Sequence, residues 1–168
     1  SMGEEIVPAG VKLSEDYIEA ILNSDAKEVC VRNNNVRGIE VEAIVEGNSV
    51  IEPLHPTLRW TAISVGNPHI IAVVEKIDLT LLEQLGERVK HLPETFPYGV
   101  NISLVELRDK NRIFVTTFER GAGITPSCGT AMTSSATAMA LQGLCSYDSD
   151  IVVENRGGAV RCICSNKS

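Results

Sequence analysis

Residues 128–142 read CGTAMTSSATAMALQ, a stretch of helical length that contains no charged side chain. A helix without a polar face cannot lie on a protein surface, so this one is predicted to run through the middle of a sheet. Its small side chains would let the strands pack closely around it, and Gly143 is its expected C-terminal cap. The predicted fold class is therefore α+β, with a curved mixed or antiparallel sheet wrapped around a central buried helix.

The rest of the chain is predicted to supply the sheet. Alternating β-branched and polar residues over 27–51 predict a hairpin or meander, with turns at 33–35 and at Glu46-Gly47-Asn48. The unbroken apolar run of residues 70–74 predicts a strand buried on both faces. Other strands are predicted at 58–65, 100–107, 112–119, 150–154 and 159–164.

Two further helices are predicted. Residues 14–23 follow the N-capping residue Ser14, and residues 79–89 form an amphipathic pattern. The inward side chains of the second helix are expected to be Leu81, Leu82, Leu85 and Val89. No linker or low-complexity segment interrupts the sequence, so residues 1–168 are predicted to form a single domain.

Composition limits the classes of function. The net charge of −7, without a cluster of Lys or Arg, argues against nucleic acid or an anionic membrane as a partner. No apolar run approaches the roughly 20 residues of a membrane helix, and the acidic opening residues do not resemble a signal peptide. The five cysteines are odd in number and lack paired spacings, so free thiols in the cytoplasm are expected. Four of them, all except Cys128, are predicted to be buried structural residues. Cys162 and Cys164 lack the further ligands of a metal site, and no metal is expected.

The approach to residue 128 carries the strongest chemical signal. A Glu119-Arg120 pair ends a predicted strand, a glycine-rich loop follows, and Cys128 opens the uncharged helix. Free amides at a helix start bind anions, and the dipole there favours the thiolate of a cysteine. A thiolate beside an anchored carboxylate could remove an α-proton.

Three other segments place polar groups beside predicted strands. Asn67 and His69 lie in a Gly-Asn-Pro-His run, and Asn101 opens a strand after Tyr98-Gly99-Val100. Glu119 and Arg120 offer a carboxylate and a bidentate anion binder. Taken singly, the two asparagines are more typical of turn residues and His69 of a half-buried histidine. The Glu119-Arg120 pair is more typical of a solvated strand end.

Taken together, these motifs resemble the diaminopimelate epimerase family. The resemblance rests on the order and spacing of four segments: Gly66-Asn67-Pro68-His69, Phe96-Pro97 with Val100-Asn101, Glu119-Arg120-Gly121-Ala122-Gly123, and Cys128-Gly129-Thr130. It covers nearly the whole chain, and it implies an isomerase without a cofactor. That enzyme interconverts LL- and meso-diaminopimelate, for lysine and peptidoglycan synthesis, by using two cysteines as acid and base.

The resemblance also implies roles for individual residues. Cys128 would be one catalytic thiol, and the amides of Gly129 and Thr130 would bind the substrate α-carboxylate. His69 and Glu119 would tune the pKa values of the thiols. The remaining substrate contacts would come from Asn67, Asn101, Glu119 and Arg120.

The sequence departs from that family at both ends. The Cys-Gly-Asn-Gly motif that carries the other cysteine is missing, and the chain stops where the family continues with a return strand. Residues 1–168 are therefore expected to be the C-terminal half of a two-domain enzyme, inactive alone. Its expected partners are diaminopimelate, the N-terminal domain and, in the full-length enzyme, a second copy as a candidate dimer.

Two alternatives stay open. One is another two-cysteine amino-acid racemase of the same fold, such as a relative of proline or hydroxyproline racemase. Arg120, Asn67 and Asn101 argue against proline, because proline has no distal carboxylate to hold. The other alternative is a non-catalytic amino-acid-binding or interaction domain that has kept the architecture.

Overall fold

The computed structural model describes residues 27–33, 39–126 and 128–165. The predicted helix over 14–23 lies outside these residues. The elements of the described part are β1 Lys27–Asn33, β2 Ile39–Val50, β3 Arg59–Ser64, β4 Pro68–Val73, α1 Leu79–Val89, β5 Asn101–Asp109, β6 Arg112–Glu119, β7 Gly123–Thr125, α2 Gly129–Leu141, β8 Ile151–Asn155 and β9 Gly158–Ser165.

The strands form one curved sheet around α2. Their order is β5-β4-β3-β2-β1-β9-β8-β6-β7, and β5 also pairs with β6, so the sheet curls back on itself. The β4–β5 and β6–β8 pairs are parallel, and the other pairs are antiparallel. Helix α2 contacts β1, β3, β4, β5, β6, β8 and β9. This arrangement confirms the predicted α+β class with a mixed sheet around a central helix.

The interior of the sheet accepts α2 because most hydroxyls of the helix bond to its own backbone. Ser135 is the exception, since its buried Oγ has no partner among the described residues. Every residue from Ala131 to Leu141 is buried, including four that carry hydroxyls. Thr133 and Thr137 donate to the carbonyls of Gly129 and Thr133, four residues earlier, at 3.1 and 2.9 Å. Hydroxyls that hydrogen-bond within the helix can be buried, because the internal bond replaces the one they would make to water. Gly143, with φ 77°, ends the helix as predicted, because this left-handed backbone suits glycine.

Helix α1 packs on the outer face of the same sheet. Leu82, Leu85 and Val89 of α1 are buried, and Leu81 is half-buried, as predicted from the amphipathic pattern. Strand β4 lies between the two helices. Ile70 and Ala72 pack with the α1 side chains, whereas Ile71 packs with the α2 side chains. This double contact explains the unbroken apolar run in β4, and it confirms burial on both faces.

The predicted turn at Glu46-Gly47-Asn48 is wrong. Strand β2 continues through it to Val50, and its register against β3 shifts between Val45 and Gly47. The shift is a β-bulge, for which Gly47 supplies a φ of 139° that other residues rarely adopt. Glycine and asparagine in a strand therefore mark an irregularity here, and the chain does not reverse.

Candidate active site

Most predicted site residues lie at the starts of two neighbouring strands and of the central helix, whereas Glu119 and Arg120 lie at the end of β6. Strands β4 and β5 are parallel, with His69 opposite Asn101 in the register. Asn67 lies in the turn just before β4, and the side chain of His69 reaches Thr130 in the first turn of α2. Segments that are distant in sequence therefore meet at the N-terminal end of α2.

Four side chains at this end form a hydrogen-bonded group, named here the thiol cluster: Asn67, His69, Cys128 and Thr130. The Cys128 Sγ lies 3.6 Å from the Thr130 Oγ1, which lies 3.0 Å from the His69 Nε2. The same Nε2 is 3.3 Å from the Asn67 Oδ1. A continuous path of polar atoms thus connects the thiol to a buried imidazole.

The imidazole of His69 is neutral at pH 7. Its side chain is 1% exposed. Burial is the main cause that lowers the pKa of His69, and the positive charge of Arg120 adds to it; together they move the pKa from 6.5 to about 4. The other ring nitrogen, Nδ1, is buried and has no hydrogen-bond partner among the described residues.

The start of α2 is open to an anion. Cys128 occupies the N-cap position, but its side chain makes no capping hydrogen bond. The first amides of a helix have no partner within the helix. At α2 they include the amides of Gly129 and Thr130. The family resemblance implies that these two amides bind the α-carboxylate of a substrate. These groups and the helix dipole favour a negative charge beside the Cys128 thiol.

Cys128 differs from the other thiols whose side chains are described. It is half-buried, whereas Cys145, Cys162 and Cys164 are buried, as predicted for structural cysteines. Burial raises the pKa of Cys145 to about 11 and that of Cys162 to about 12. Chemistry that needs a thiolate near neutral pH is therefore disfavoured at these positions. The side chain of Cys30, also predicted to be structural, lies outside the described set.

Asn101 connects two parts of the site through the backbone. Its Nδ2 donates to the Pro68 carbonyl at 3.2 Å, and its Oδ1 accepts from the Arg120 amide at 2.7 Å. The side chain is 5% exposed. These hydrogen bonds of Asn101 hold the start of β4 against the end of β6, and its predicted contact with substrate stays a prediction.

Glu119 and Arg120 point their charged groups to different partners. The Arg120 Nη1 donates to the Tyr98 carbonyl at 2.8 Å, and the residue is exposed. The Glu119 carboxylate accepts a short hydrogen bond from the Thr125 hydroxyl. This bond spans the tight turn between β6 and β7, so Glu119 shapes the loop that leads to Cys128.

A contact that the sequence did not predict supports the same loop. The Gly157 amide, in the turn between β8 and β9, donates to the Pro126 carbonyl at 2.9 Å. At the end of β8, just before this turn, the Asn155 Nδ2 lies 3.0 Å from the Met132 Sδ of α2. Gly157 and Gly158 suit a turn, but nothing in the sequence indicated that this part of the chain contacts residues on both sides of Cys128.

Comparison with known proteins identifies the family. A family model described as "Diaminopimelate epimerase" matches residues 61–168, which contain all the predicted site residues. The chain belongs to the diaminopimelate epimerase family. Among curated members, the diaminopimelate epimerase of Clostridium acetobutylicum is 41% identical over 113 residues, which are 67% of this chain and 34% of the relative. That of Bacillus velezensis is 34% identical over 143 residues, which are 81% of this chain and 50% of the relative.

The chain spans between a third and a half of the length of these two diaminopimelate epimerases. Among solved structures, a hydroxyproline epimerase from Agrobacterium vitis with bound trans-4-hydroxy-L-proline is similar over 86% of this chain and 56% of its own. The sequence identity there is 12% and the TM-score is 0.42, a similarity too weak to support a substrate assignment.

Within this family domain, the predicted site residues are connected through the structure. The thiol cluster reaches Asn101 through Pro68, which precedes His69, and Asn101 reaches Arg120 and the neighbouring Glu119. In the described part of the chain, no group of three His, Cys, Asp or Glu side chains could hold a metal ion. No helix among these residues is long and apolar enough to span a membrane.

Proposed function

We propose that this chain carries one of the two acid–base thiols of a diaminopimelate epimerase, which interconverts LL- and meso-diaminopimelate. The observation that carries the proposal is a half-exposed thiol at the open start of a buried helix, in a member of this family. Cys128 would exchange a proton with the substrate α-carbon. A second thiol, outside this chain, would act on the opposite face of that carbon.

The amides at the start of α2 would hold the α-carboxylate. As the α-proton leaves, negative charge spreads from the carbon onto that carboxylate, and fixed donors stabilise it without reorganising. Arg120 is exposed and uses one N–H group for Tyr98, so other guanidinium donors remain for the distal carboxylate. The backbone contacts of Asn101 would fix the position of Arg120, while Asn67 would contact the substrate.

The proposal extends to the setting of the enzyme. Its partners would be diaminopimelate, the N-terminal domain that supplies the second thiol, and a second copy in a full-length homodimer. It would work in the cytoplasm, in lysine and peptidoglycan synthesis. No cofactor would be required, because both proton transfers would be made by thiols.

The test uses the natural full-length protein that contains this sequence, incubated with LL-diaminopimelate in D2O. We expect NMR to show exchange of the α-proton and formation of the meso isomer. Cys128→Ala should lower turnover by about a thousandfold, because general acid–base groups contribute factors of this size. Its circular dichroism spectrum should match that of the wild type. Cys145→Ala, which removes a buried thiol, is the matched control and should retain turnover.

Four results would contradict the proposal. Retained turnover in Cys128→Ala would remove this thiol from the mechanism. Binding of diaminopimelate without turnover by the wild-type protein would favour a binding domain, and turnover of proline alone would favour another racemase. Measurable turnover by the 168-residue chain alone would refute the assignment of the second thiol to a separate domain.

A further inference from the structure

The hydroxyl of Thr130 lies between Cys128 and His69. The proposed carboxylate contact of Thr130 uses only its backbone amide, so it leaves this hydroxyl without a role. The side-chain oxygen is within hydrogen-bonding reach of both the Cys128 Sγ, at 3.6 Å, and the His69 Nε2, at 3.0 Å. Residues 130 and 69 are 61 positions apart in sequence. The fold therefore brings a buried imidazole to the thiol by way of one hydroxyl.

The direction of these hydrogen bonds follows from the state of His69. A neutral imidazole carries one hydrogen, on either Nδ1 or Nε2. A hydrogen on Nδ1 would be a buried donor without a partner among the described residues, and buried N–H groups are rarely left unpaired. A hydrogen on Nε2 faces two oxygens, those of Thr130 and Asn67. The hydrogen-bond network thus assigns the hydrogen to Nε2.

A hydroxyl that accepts a hydrogen bond from His69 has its own hydrogen free to donate. Among the described residues, the other polar atom that bonds to the Thr130 Oγ1 is the Cys128 Sγ. A thiolate accepts such a bond more strongly than a thiol does, because hydrogen bonds to charged groups are the stronger ones. The polarised chain Nε2–H to O–H to S⁻ therefore stabilises the thiolate form, and no proton leaves the hydroxyl or the imidazole.

We propose that the Thr130 hydroxyl is a positioning group that couples neutral His69 to the Cys128 thiolate. This role presupposes the proposed use of Cys128 as an acid–base thiol, but thiol reactivity tests it without any substrate. Replacing Thr130 by valine removes the hydroxyl, retains the shape of the side chain and retains the backbone amide. Thr130→Ser restores the hydroxyl alone.

The experiment measures the rate at which iodoacetamide alkylates Cys128, followed by peptide mass spectrometry at pH 7 and pH 10. In this reaction the thiolate sulfur bonds to the methylene carbon and iodide leaves. In Thr130→Val we expect a rate roughly threefold lower at pH 7, because less thiolate is present. At pH 10 the rate should exceed that of the wild type by a similar factor, roughly threefold, because a thiolate without a hydrogen bond is more nucleophilic.

Controls separate this role from a general disturbance of the helix. Thr130→Ser should restore the wild-type rates at both pH values. Thr133→Val removes a hydroxyl one turn later, which donates to the Gly129 carbonyl, and should leave both rates unchanged. Should Thr130→Val fail to fold, Thr130→Ala makes the same test.

Either of two outcomes would overturn the role of Thr130. The rates could be unchanged without the hydroxyl, or they could change in the same direction at both pH values. Both outcomes would leave the proposed epimerase activity intact, since that activity is measured separately by turnover. In the full-length enzyme the variant should lower kcat with little change in KM, because the carboxylate-binding amide remains.

Discussion

Helices α1 and α2 differ in how they begin. At α1, the Asp78 carboxylate accepts hydrogen bonds from the amides of Thr80 and Leu81, at 2.9 and 3.2 Å. At α2, Cys128 occupies the equivalent position and makes no side-chain cap. One helix start is closed by its own sequence, and the other is left open beside a thiol. The comparison separates a helix that supports the sheet from a helix whose first turn is free to bind an anion.

The two helices also differ in how much charge they tolerate, and this gives the largest expected effect. Ala136 of α2 is fully buried, whereas Gln84 of α1 is exposed. Ala136→Glu should lower the free energy of unfolding by about 4 kcal/mol or more, because it buries a carboxylate without a partner. Gln84→Glu introduces the same group and should change that free energy by less than about 0.5 kcal/mol. Urea unfolding followed by circular dichroism compares them, and similar losses would refute the difference.

Acid should lower the free energy of unfolding through His69, whose side chain contacts the first turn of α2. The pKa of His69 is about 4 in the folded chain, against its usual 6.5, so the unfolded state binds a proton that the folded state excludes. Stability should fall as the pH drops from about 6.5 to about 4, by on the order of 3 kcal/mol in total. Above pH 6.5 this contribution is fully present.

The measurement for this prediction is the difference in the free energy of unfolding between the wild type and His69→Gln from pH 7 to pH 4. Glutamine does not titrate, so the variant should lose this part of the pH dependence. Parallel curves for the two proteins would show that His69 does not titrate as the structure indicates.

Glycine plays opposite parts in the two helices. A methyl group at Gly86 of α1 would collide with the ring of Phe118, whereas one at Gly129 of α2 would meet nothing within 4 Å. Gly86→Ala should therefore cost about 2 kcal/mol of stability by overpacking. Gly129→Ala should change it by less than about 0.5 kcal/mol. Thermal unfolding of the pair provides the measurement, and equal effects would contradict the close approach at Gly86.

Exchanging the caps should give the smallest effect and the most direct test of the comparison. Asp78→Ala removes a cap and should cost about 1 kcal/mol, while Cys128→Ser adds a good capping residue and should gain about 0.5 kcal/mol. The proposed role of Cys128 further predicts that the serine variant of the full-length protein loses turnover, because it lacks the thiol. A serine variant less stable than the wild type would show that the α2 start is satisfied in another way.

The parts of the fold that follow from local pattern were predictable. The absence of charged side chains predicted the burial of α2. The helical spacing of apolar residues predicted the inward face of α1 at Leu82, Leu85 and Val89. The bulge at Gly47 was mistaken for a turn, because both features select glycine for its positive φ. The strand order was not predictable, since pairing between β1 and β9 depends on contacts across most of the chain.

The site was predictable in its residue types and less so in its contacts. Cys128 could be identified from its position before an uncharged helix. The bond from His69 to Thr130 could not, because it joins side chains 61 positions apart. Asn101 was predicted to contact substrate, and its hydrogen bonds to the backbone at Pro68 and Arg120 could not be foreseen. A sequence shows that a polar group is available, but the fold decides what it bonds.

The open start of α2 also links ligand occupancy to thermal stability. A carboxylate held by these amides would complete the helix in the way that Asp78 completes α1, so any anion that binds only the folded chain must raise its melting temperature. At a hundredfold excess over the dissociation constant the gain is about 2.7 kcal/mol. Melting curves recorded with a panel of amino dicarboxylates would thus rank ligands of this site before any reaction is assayed.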